Sequence, residues 1–508
     1  MKQTLGILLL IGGLLVTGIS GCAGRRLTAR RRTAASEPQA CEVRVNWDEV
    51  TGVSESTPTL QVVVNPPLRR GSAIHNRVFE ALHNLGADDV RYVPWLPYPK
   101  LAVAELDPPA NGKTSWDFSL IDPTMEDFMN ATAGHSVIIN FSTIPEWMWK
   151  TARPVPYPAR PDQVDWNYEQ GTQLVGLSME QVADYYGRLV SWYTKGGFKD
   201  EYGHEHTSAH HYKIAYWEVL NEVDSEHHMN PEFYTRIYDA ISGAIHKADP
   251  SIKFVGMALG GPSGEPRFVD YFLNHKNHKP GTPLDMISYH FYAHPSADES
   301  EGAWQYTFFT QASAFLNTVR YIQAIRKRLS PETRTDTDEL GAILPGDPEG
   351  KESIPTFYWN LCSAMYAYLY GHLANLGVEV VGESQLVGYP TQFPSVSMVN
   401  WKTGQPNARF WTLKILKDNF GPGDKLVRSE VSVPHVYAQG FITQVGKHKV
   451  LLANERNRPF TMTIPNSAGG TEEYVDQTTG EQPPAFRHLS NDKMMLGGFG
   501  VAVITLPH

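Results

Sequence analysis

Between residues 58 and 420 short apolar runs alternate with amphipathic stretches, one unit after another. A strand followed each time by a helix must re-enter its sheet in the same direction, so the rhythm dictates parallel neighbours covered by helices. Strands are predicted at 60–64, 89–93, 136–141, 214–222, 253–257, 285–292, 337–343 and 378–382. Helices are predicted at 76–85, 120–129, 179–193, 231–246, 268–274, 312–329, 356–376 and 408–420, with Leu177-Ser178 opening the third. The run Ser136-Val137-Ile138-Ile139-Asn140-Phe141 stays apolar almost to its end, as a strand buried on both faces does. Eight strands with eight helices is the count of a closed (β/α)8 barrel, an α/β fold. An open doubly wound sheet would carry a glycine-rich turn after its first strand, whereas this one runs into Asn65-Pro66-Pro67. Beyond Gly421 the rhythm changes to short strands at 441–445, 449–453, 460–464 and 501–506, an all-β accessory module of sandwich type.

The N-terminus follows other rules. Lys2 precedes an apolar run from Leu5 to Val16 and then Ile19-Ser20-Gly21-Cys22, the layout of an export signal too short to prefer spanning a membrane. The Ile-Ser-Gly-Cys ending resembles a bacterial lipoprotein signal, which implies lipidation of Cys22; ordinary secretion is the alternative. Arg25 to Gln39 is rich in Arg, Ala, Ser and Thr and reads as a tether near anionic headgroups. The predicted division is therefore 1–21 signal peptide, 22–55 disordered tether, 56–425 barrel and 426–508 accessory sandwich. The expected location is the bacterial cell envelope or the medium. The net charge of −10 is spread without long blocks, which points away from nucleic acid. Cys41 and Cys362 are open to a disulfide or to two buried thiols, and no cysteine spacing supports a metal site. Oligomeric state is not readable from the chain.

In a barrel of this kind chemistry gathers at the C-terminal strand ends. Tyr216-Trp217-Glu218-Val219-Leu220-Asn221-Glu222 is an apolar run ending in an amide and a carboxylate at the fourth strand, and Glu339 lies on the seventh. Two carboxylates on separate strand ends suit glycosidic bond cleavage, one protonating the leaving oxygen while the other attacks the sugar carbon or steers water to it. Glu218 shares strand parity with Glu222 but lies about 13 Å down the strand, so pairing with a buried cation is its expected role. Trp95, Trp147, Trp149 and Trp401 fall beyond strand ends, where rings stack on sugars as readily as they fill cores.

These segments resemble glycoside hydrolase family 39, the clan A group of β-xylosidases and α-L-iduronidases. The likeness rests on Trp217 to Glu222, Ser288-Tyr289-His290-Phe291-Tyr292, Asp338-Glu339-Leu340-Gly341 and the stretch from Val396 to Trp411, within roughly residues 55 to 500. It implies Glu222 as general acid/base, Glu339 as nucleophile of a configuration-retaining reaction, and Asn221 on the sugar 2-hydroxyl. His290 and Tyr292 would bind substrate and support the nucleophile. Glu383 matches a sugar-binding position, with surface exposure the alternative. Arg91 would hold Glu339 ionised or form a plain structural pair, and Glu146 is either a rim residue or a sugar ligand. Trp147 and Trp401 complete the expected substrate contacts. Leu220 and Val223 stand where the family has Trp and Pro, and Arg91-Tyr92-Val93 where it has Arg-x-His, which leaves the sugar open.

The expected partner is a carbohydrate and no cofactor is required, since two carboxylates suffice. Competing readings are an endo-acting clan A glycanase, a non-catalytic glycan-binding lipoprotein, and a zinc hydrolase built on His204, His206, His210, His211, His227 and His228. The last has imidazoles in polar loop at spacings that match no helix face.

Overall fold

The computed structural model describes residues 38–507, apart from 154, 167, 169–172, 176–178 and 348–352. The signal peptide, Cys22, the tether up to residue 37 and the Leu177-Ser178 helix start lie outside the described residues.

The first strand, β1 (Gln39–Val53), precedes the barrel. Then come β2 (Thr57–Val63), α1 (His75–Leu85), β3 (Val90–Val93), α2 (Asp122–Ala131), β4 (Val137–Ile139) and α3 (Met179–Thr194). After a hairpin of β5 (Gly197–Lys199) and β6 (Glu205–Thr207) follow β7 (Tyr216–Glu218), α4 (Pro231–Ala248), β8 (Lys253–Leu259), α5 (Pro266–Phe272) and β9 (Met286–Ala293). The barrel ends with α6 (Trp304–Leu329), β10 (Arg334–Ala342), α7 (Thr356–Leu376), β11 (Val380–Glu383) and α8 (Ala408–Asn419). Eight of these strands close in the order β10-β11-β2-β3-β4-β7-β8-β9, every pair parallel, so the predicted barrel is the observed one. Ile138, Tyr216, Val255, Met286 and Val380 fill its interior as one apolar layer. Alternation then sends Trp217 outward into the helical shell and Glu218 inward.

The accessory domain is one nine-stranded sheet, in which β12 (Lys425–Val431), β13 (Val436–Ile442), β14 (His448–Asn454), β15 (Phe460–Thr463), β16 (Thr471–Val475), β17 (Ala485–His488), β18 (Lys493–Leu496) and β19 (Val501–Thr505) take the order β17-β16-β19-β14-β13-β12-β1-β15-β18. Phe460, Met462 and Leu496, from its far edge, share a core with Val450, Leu452, Ala502 and Ile504 from its middle, so the sheet folds over on itself. The alternate residues Leu451, Ala453, Val501 and Val503 belong to the barrel's core instead. These strands are therefore buried on both faces, one toward the sandwich and one toward the barrel helices. That explains why α7 is apolar almost all round: β14 and β19 cover the side that a barrel helix ordinarily shows to water.

One boundary needs correction. Residues 39–53, assigned from sequence to a disordered tether, form β1, which pairs antiparallel with β12 and parallel with β15. The alternation of Cys41, Val43, Val45 and Trp47 with Glu42, Arg44 and Asn46 is the strand period, and Cys41 and Val43 enter the sandwich core. Cys41 and Cys362 are both free and buried, the first in the sandwich core and the second in the barrel core on α7, which resolves the open pairing in favour of thiols.

Candidate active site

Glu339 reaches the barrel interior because β10 is bulged. Asp336 pairs with Ser288 and Glu339 with His290, three steps against two, and the same extra residue recurs against β11 between Thr337 and Leu340. An inserted residue breaks the alternation, so Asp338 and its neighbour Glu339 both turn toward Arg91, with Asp338 Oδ2 2.9 Å from Nε and Glu339 Oε1 2.5 Å from Nη1. Gly382 on β11 makes room, since a Cβ there would stand 3.0 Å from the backbone of Asp338.

Arg91, buried on β3, is the hub beneath the site. It donates to Glu218 Oε2 at 2.5 Å, Gln61 Oε1 at 2.7 Å, Glu339 Oε1 at 2.5 Å and Asn221 Oδ1 at 2.6 Å. Glu218 thus takes the structural role expected of it, completed by Ser288 Oγ at 2.5 Å and Asn140 Nδ2 at 2.6 Å. Burial pushes Asp336 and Asp338 well above the usual carboxylate range. Glu339 goes the other way. Burial would raise it, but the charges of His290 and Arg91 and the hydroxyl of Tyr292, donating to Oε2 at 2.6 Å, hold it below its ordinary value. Tyr292 Oη also lies 2.6 Å from Ser384 Oγ, which in turn accepts from Gln61 Nε2 at 2.7 Å.

Glu222 is delivered by a turn, not by a strand. β7 stops at Glu218, and Leu220 (φ 67°) and Glu222 (φ 42°) take left-handed backbone on either side of Asn221. Each such residue costs on the order of 1–3 kcal/mol and survives only where surrounding packing imposes it. Across from Glu222, Gly260 leaves space that a Cβ would fill 2.9 Å from the carboxylate. Ser225 Oγ donates to Glu222 Oε2 at 3.1 Å and His290 Nδ1 lies 3.0 Å from Oε1.

His290 joins the two acids, its Nδ1 also standing 3.5 Å from Glu339 Oε2. Burial would strip its proton, but Glu339, Asp338 and Glu222 together raise it to about 9. The side-chain ligand atoms of Glu222, His290 and Glu339 all lie within 4.8 Å of one another. They are the one group among the described residues that could ligate a cation, and the same imidazole, held protonated by the carboxylates around it, suits proton chemistry. The loop histidines do not converge: His204 and His206 both turn to Asp200, His210 to Asp122, and His227 is buried with its proton affinity pulled down to about 3.

Both carboxylates open into a cavity of ≈ 390 Å³ whose wall includes Asn221, Tyr292, Gln61, Trp95 and Phe393. Asn221 and Tyr292 line the cavity, whereas Arg91 and His290, also expected to contact substrate, are buried outside its wall and support the carboxylates from below. Three further expected substrate contacts need correction. Trp147 is packed on the barrel core and spends its indole N–H on the Glu105 carbonyl at 3.0 Å, outside the cavity wall. Glu383, neither exposed nor in the wall, is buried against Arg409 Nε at 2.7 Å, burial raising it to about 7 against that cation. Trp401 lines a separate depression of ≈ 250 Å³ with Trp359 and Lys402. Glu146 accepts from Thr151 Oγ1 at 3.2 Å and Trp149 is buried, so neither reaches the cavity. Sequence reasoning also missed residues: Glu226, Ser225, Asp224 and the Gly260-Gly261 pair belong to the wall. The signal was the polar cluster directly after Glu222, since Asp224 accepts from both glycine amides, at 2.9 and 2.8 Å, and ties the two loops together.

Solved structures supply the comparison. No protein-family model matches the sequence. No curated protein matches it either. The fold, however, has many counterparts. A glycoside hydrolase family 51 arabinofuranosidase from Xanthomonas axonopodis pv. citri aligns with TM-score 0.63 and 11% identity over 92% of this chain and 100% of its own. A family 51 α-L-arabinofuranosidase from Bifidobacterium longum gives 0.62 and 13% over the same shares. A family 30 endoxylanase from Clostridium papyrosolvens gives 0.57 and 13%, again over 92% and 100%. At these identities the likeness establishes the fold: a (β/α)8 barrel with a β domain, matched from end to end of each neighbour.

Proposed function

We propose that this protein is a glycoside hydrolase that retains anomeric configuration, with Glu339 as nucleophile and Glu222 as general acid/base. The observation that carries the reading is the meeting of two carboxylates at one barrel mouth, their oxygens within 4.8 Å. Oxygens that close accord with the carboxyl separation of about 5–5.5 Å used in double displacement, and not with the roughly 6.5–9.5 Å that leaves room for the water of an inverting reaction. The asymmetry of their surroundings supports the roles. Glu339 is held ionised by Arg91, His290 and Tyr292, as a nucleophile must be. Glu222 pairs with no arginine among the described residues, stands partly open to the cavity and faces Ser225 and His290. In the first half-reaction Glu222 gives its proton to the leaving oxygen while Glu339 attacks the anomeric carbon. In the second, Glu222 takes a proton from water as the glycosyl–Glu339 ester breaks.

The substrate is a carbohydrate with a terminal sugar small enough for a ≈ 390 Å³ cavity, which favours exo action over an endo cleft. A β-xyloside is the first candidate, on the family 39 motifs, and an α-L-arabinofuranoside the second, on the family 51 neighbours. A screen of aryl xyloside, glucoside, galactoside and arabinoside tests this. Release of aryl alcohol from one of them, lost in Glu339→Ala, is expected. Failure on all four and on xylan, arabinan and β-glucan would overturn the reading. Export and anchoring through Cys22 belong to the same proposal: Cys22→Ser should move the protein from the membrane fraction to the soluble one, and a wild-type protein already soluble would refute the anchor.

A further inference from the structure

The cavity contains a third carboxyl that the two-carboxylate reaction leaves unused. Glu226 follows Glu222 by one turn, its backbone N–H donating to the Glu222 carbonyl at 2.7 Å. Its Oε1 receives two donors at once, the Trp95 indole N–H at 2.5 Å and the Asn221 amide N–H at 3.2 Å. Its Oε2 is buried without a hydrogen-bond partner among the described residues. Burial and then the nearby charges of Glu222 and Glu339 push this carboxyl well above the usual range, so it stands as the neutral acid. A neutral acid has one carbonyl-type oxygen, and the two N–H donors identify it as Oε1.

An amide side chain has two ends, and nothing in Asn221 itself decides which faces the sugar. Arg91 Nη2 can only donate, which fixes Oδ1 below at 2.6 Å, and Glu226 Oε1 can here only accept, which fixes one N–H sideways. The second N–H of Asn221 is left for the cavity. Glu226 also holds Trp95, whose ring meets Trp166 edge-on at 5.5 Å and Phe393 at 6.1 Å, so one oxygen ties the amide to the aromatic wall. We propose that Glu226 is a positioning residue that orients Asn221 toward the sugar 2-hydroxyl and locks it to the Trp95 wall. This rests on the glycosidase reading above and adds a specificity device to it. An ionised Glu226 would set a second negative charge near the nucleophile Glu339; the neutral acid positions Asn221 without that repulsion.

The test compares wild type, Glu226→Gln and Glu226→Leu on an aryl glycoside and on its 2-deoxy analogue. Gln retains the accepting oxygen, so Glu226→Gln should keep kcat/KM within about 3-fold on both substrates. Leu removes it, so Glu226→Leu should lose roughly 100-fold on the 2-hydroxy substrate, the scale of one misdirected transition-state donor. On the 2-deoxy analogue, which has no hydroxyl for Asn221 to bind, that loss should shrink to a few-fold. Equal losses on both substrates, or a Glu226→Gln variant as impaired as Glu226→Leu, would overturn the proposal. If Glu226→Leu fails to fold, the conservative variant decides alone: a Glu226→Gln loss above 10-fold that is confined to the 2-hydroxy substrate or common to both contradicts it. A wild-type enzyme inactive on every glycoside would be a failure of the function, a separate outcome.

Discussion

Single residues divide the labour at the site. Glu339 is buried among donors and Glu222 is not, so the two substitutions should differ in kind. Glu222→Gln removes acid catalysis, worth about 10²–10⁴-fold. It should cripple turnover of alkyl glycosides while sparing glycosides of acidic phenols, which leave without protonation; steady-state rates across a leaving-group series show this. His290 carries the pH dependence. Its proton leaves near 9 in the folded protein, against 6.5 as the ordinary value, so its contribution to stability is complete below 6.5 and lost as pH rises through 9. The amount is on the order of 3 kcal/mol. Melting temperature should therefore fall between about pH 6.5 and 9 and level off beyond, while activity falls as pH passes 9, and His290→Asn should flatten both changes. Glu222, Asn221 and Glu339 were legible in the sequence because strand-end carboxylates and amides carry their own signal. Glu383 and Trp401 were not: Glu383 is drawn to Arg409, 26 positions on, and Trp401 lines a depression with Trp359 and Glu481, neighbours that its own sequence context does not reveal.

At the scale of elements, the positions of the strands were legible and the irregularities that aim Glu222 and Glu339 were not. Apolar periodicity marks β7 and β10, but ideal alternation would send Asp338 inward and Glu339 outward. The bulge that turns both inward is a pairing fact between β9, β10 and β11, which one strand's sequence does not contain. The accessory strands β16, β17 and β18 escaped for another reason: they are four or five residues long and mix charged with apolar side chains. The glycines facing these irregularities give a clean contrast. Gly382→Ala presses on the Asp338 backbone and should lower the melting temperature, since neither strand can retreat. Gly260→Ala meets the end of the Glu222 side chain and Ser225 Oγ, at 2.9 and 2.7 Å, which can shift. It should leave melting nearly unchanged and cut kcat at least about 10-fold, as a displaced acid does.

For the whole molecule, barrel and β domain share one core. α7 packs against β14 and β19, Asn375 Nδ2 donates to Gln439 Oε1 at 2.9 Å, and Lys449 Nζ donates to Asn419 Oδ1 at 2.5 Å. β1 lies between β12 and β15 within the sheet, although it precedes the barrel in sequence. A chain beginning at residue 56 loses that strand and should aggregate or melt without cooperativity, whereas one beginning at residue 38 should melt as the full chain does; calorimetry of the two decides it. Equal melting would mean that β1 contributes nothing to the domain. The central claim is that Glu339 becomes covalently bonded to the sugar. Incubation with a 2-deoxy-2-fluoro glycoside bearing a good leaving group, then peptide mass spectrometry, tests it most directly. One fluorosugar on the peptide that contains Glu339, attached through its carboxylate, is the result expected; a label on any other residue, or an unlabelled enzyme that still turns the reagent over with inversion, would contradict the claim.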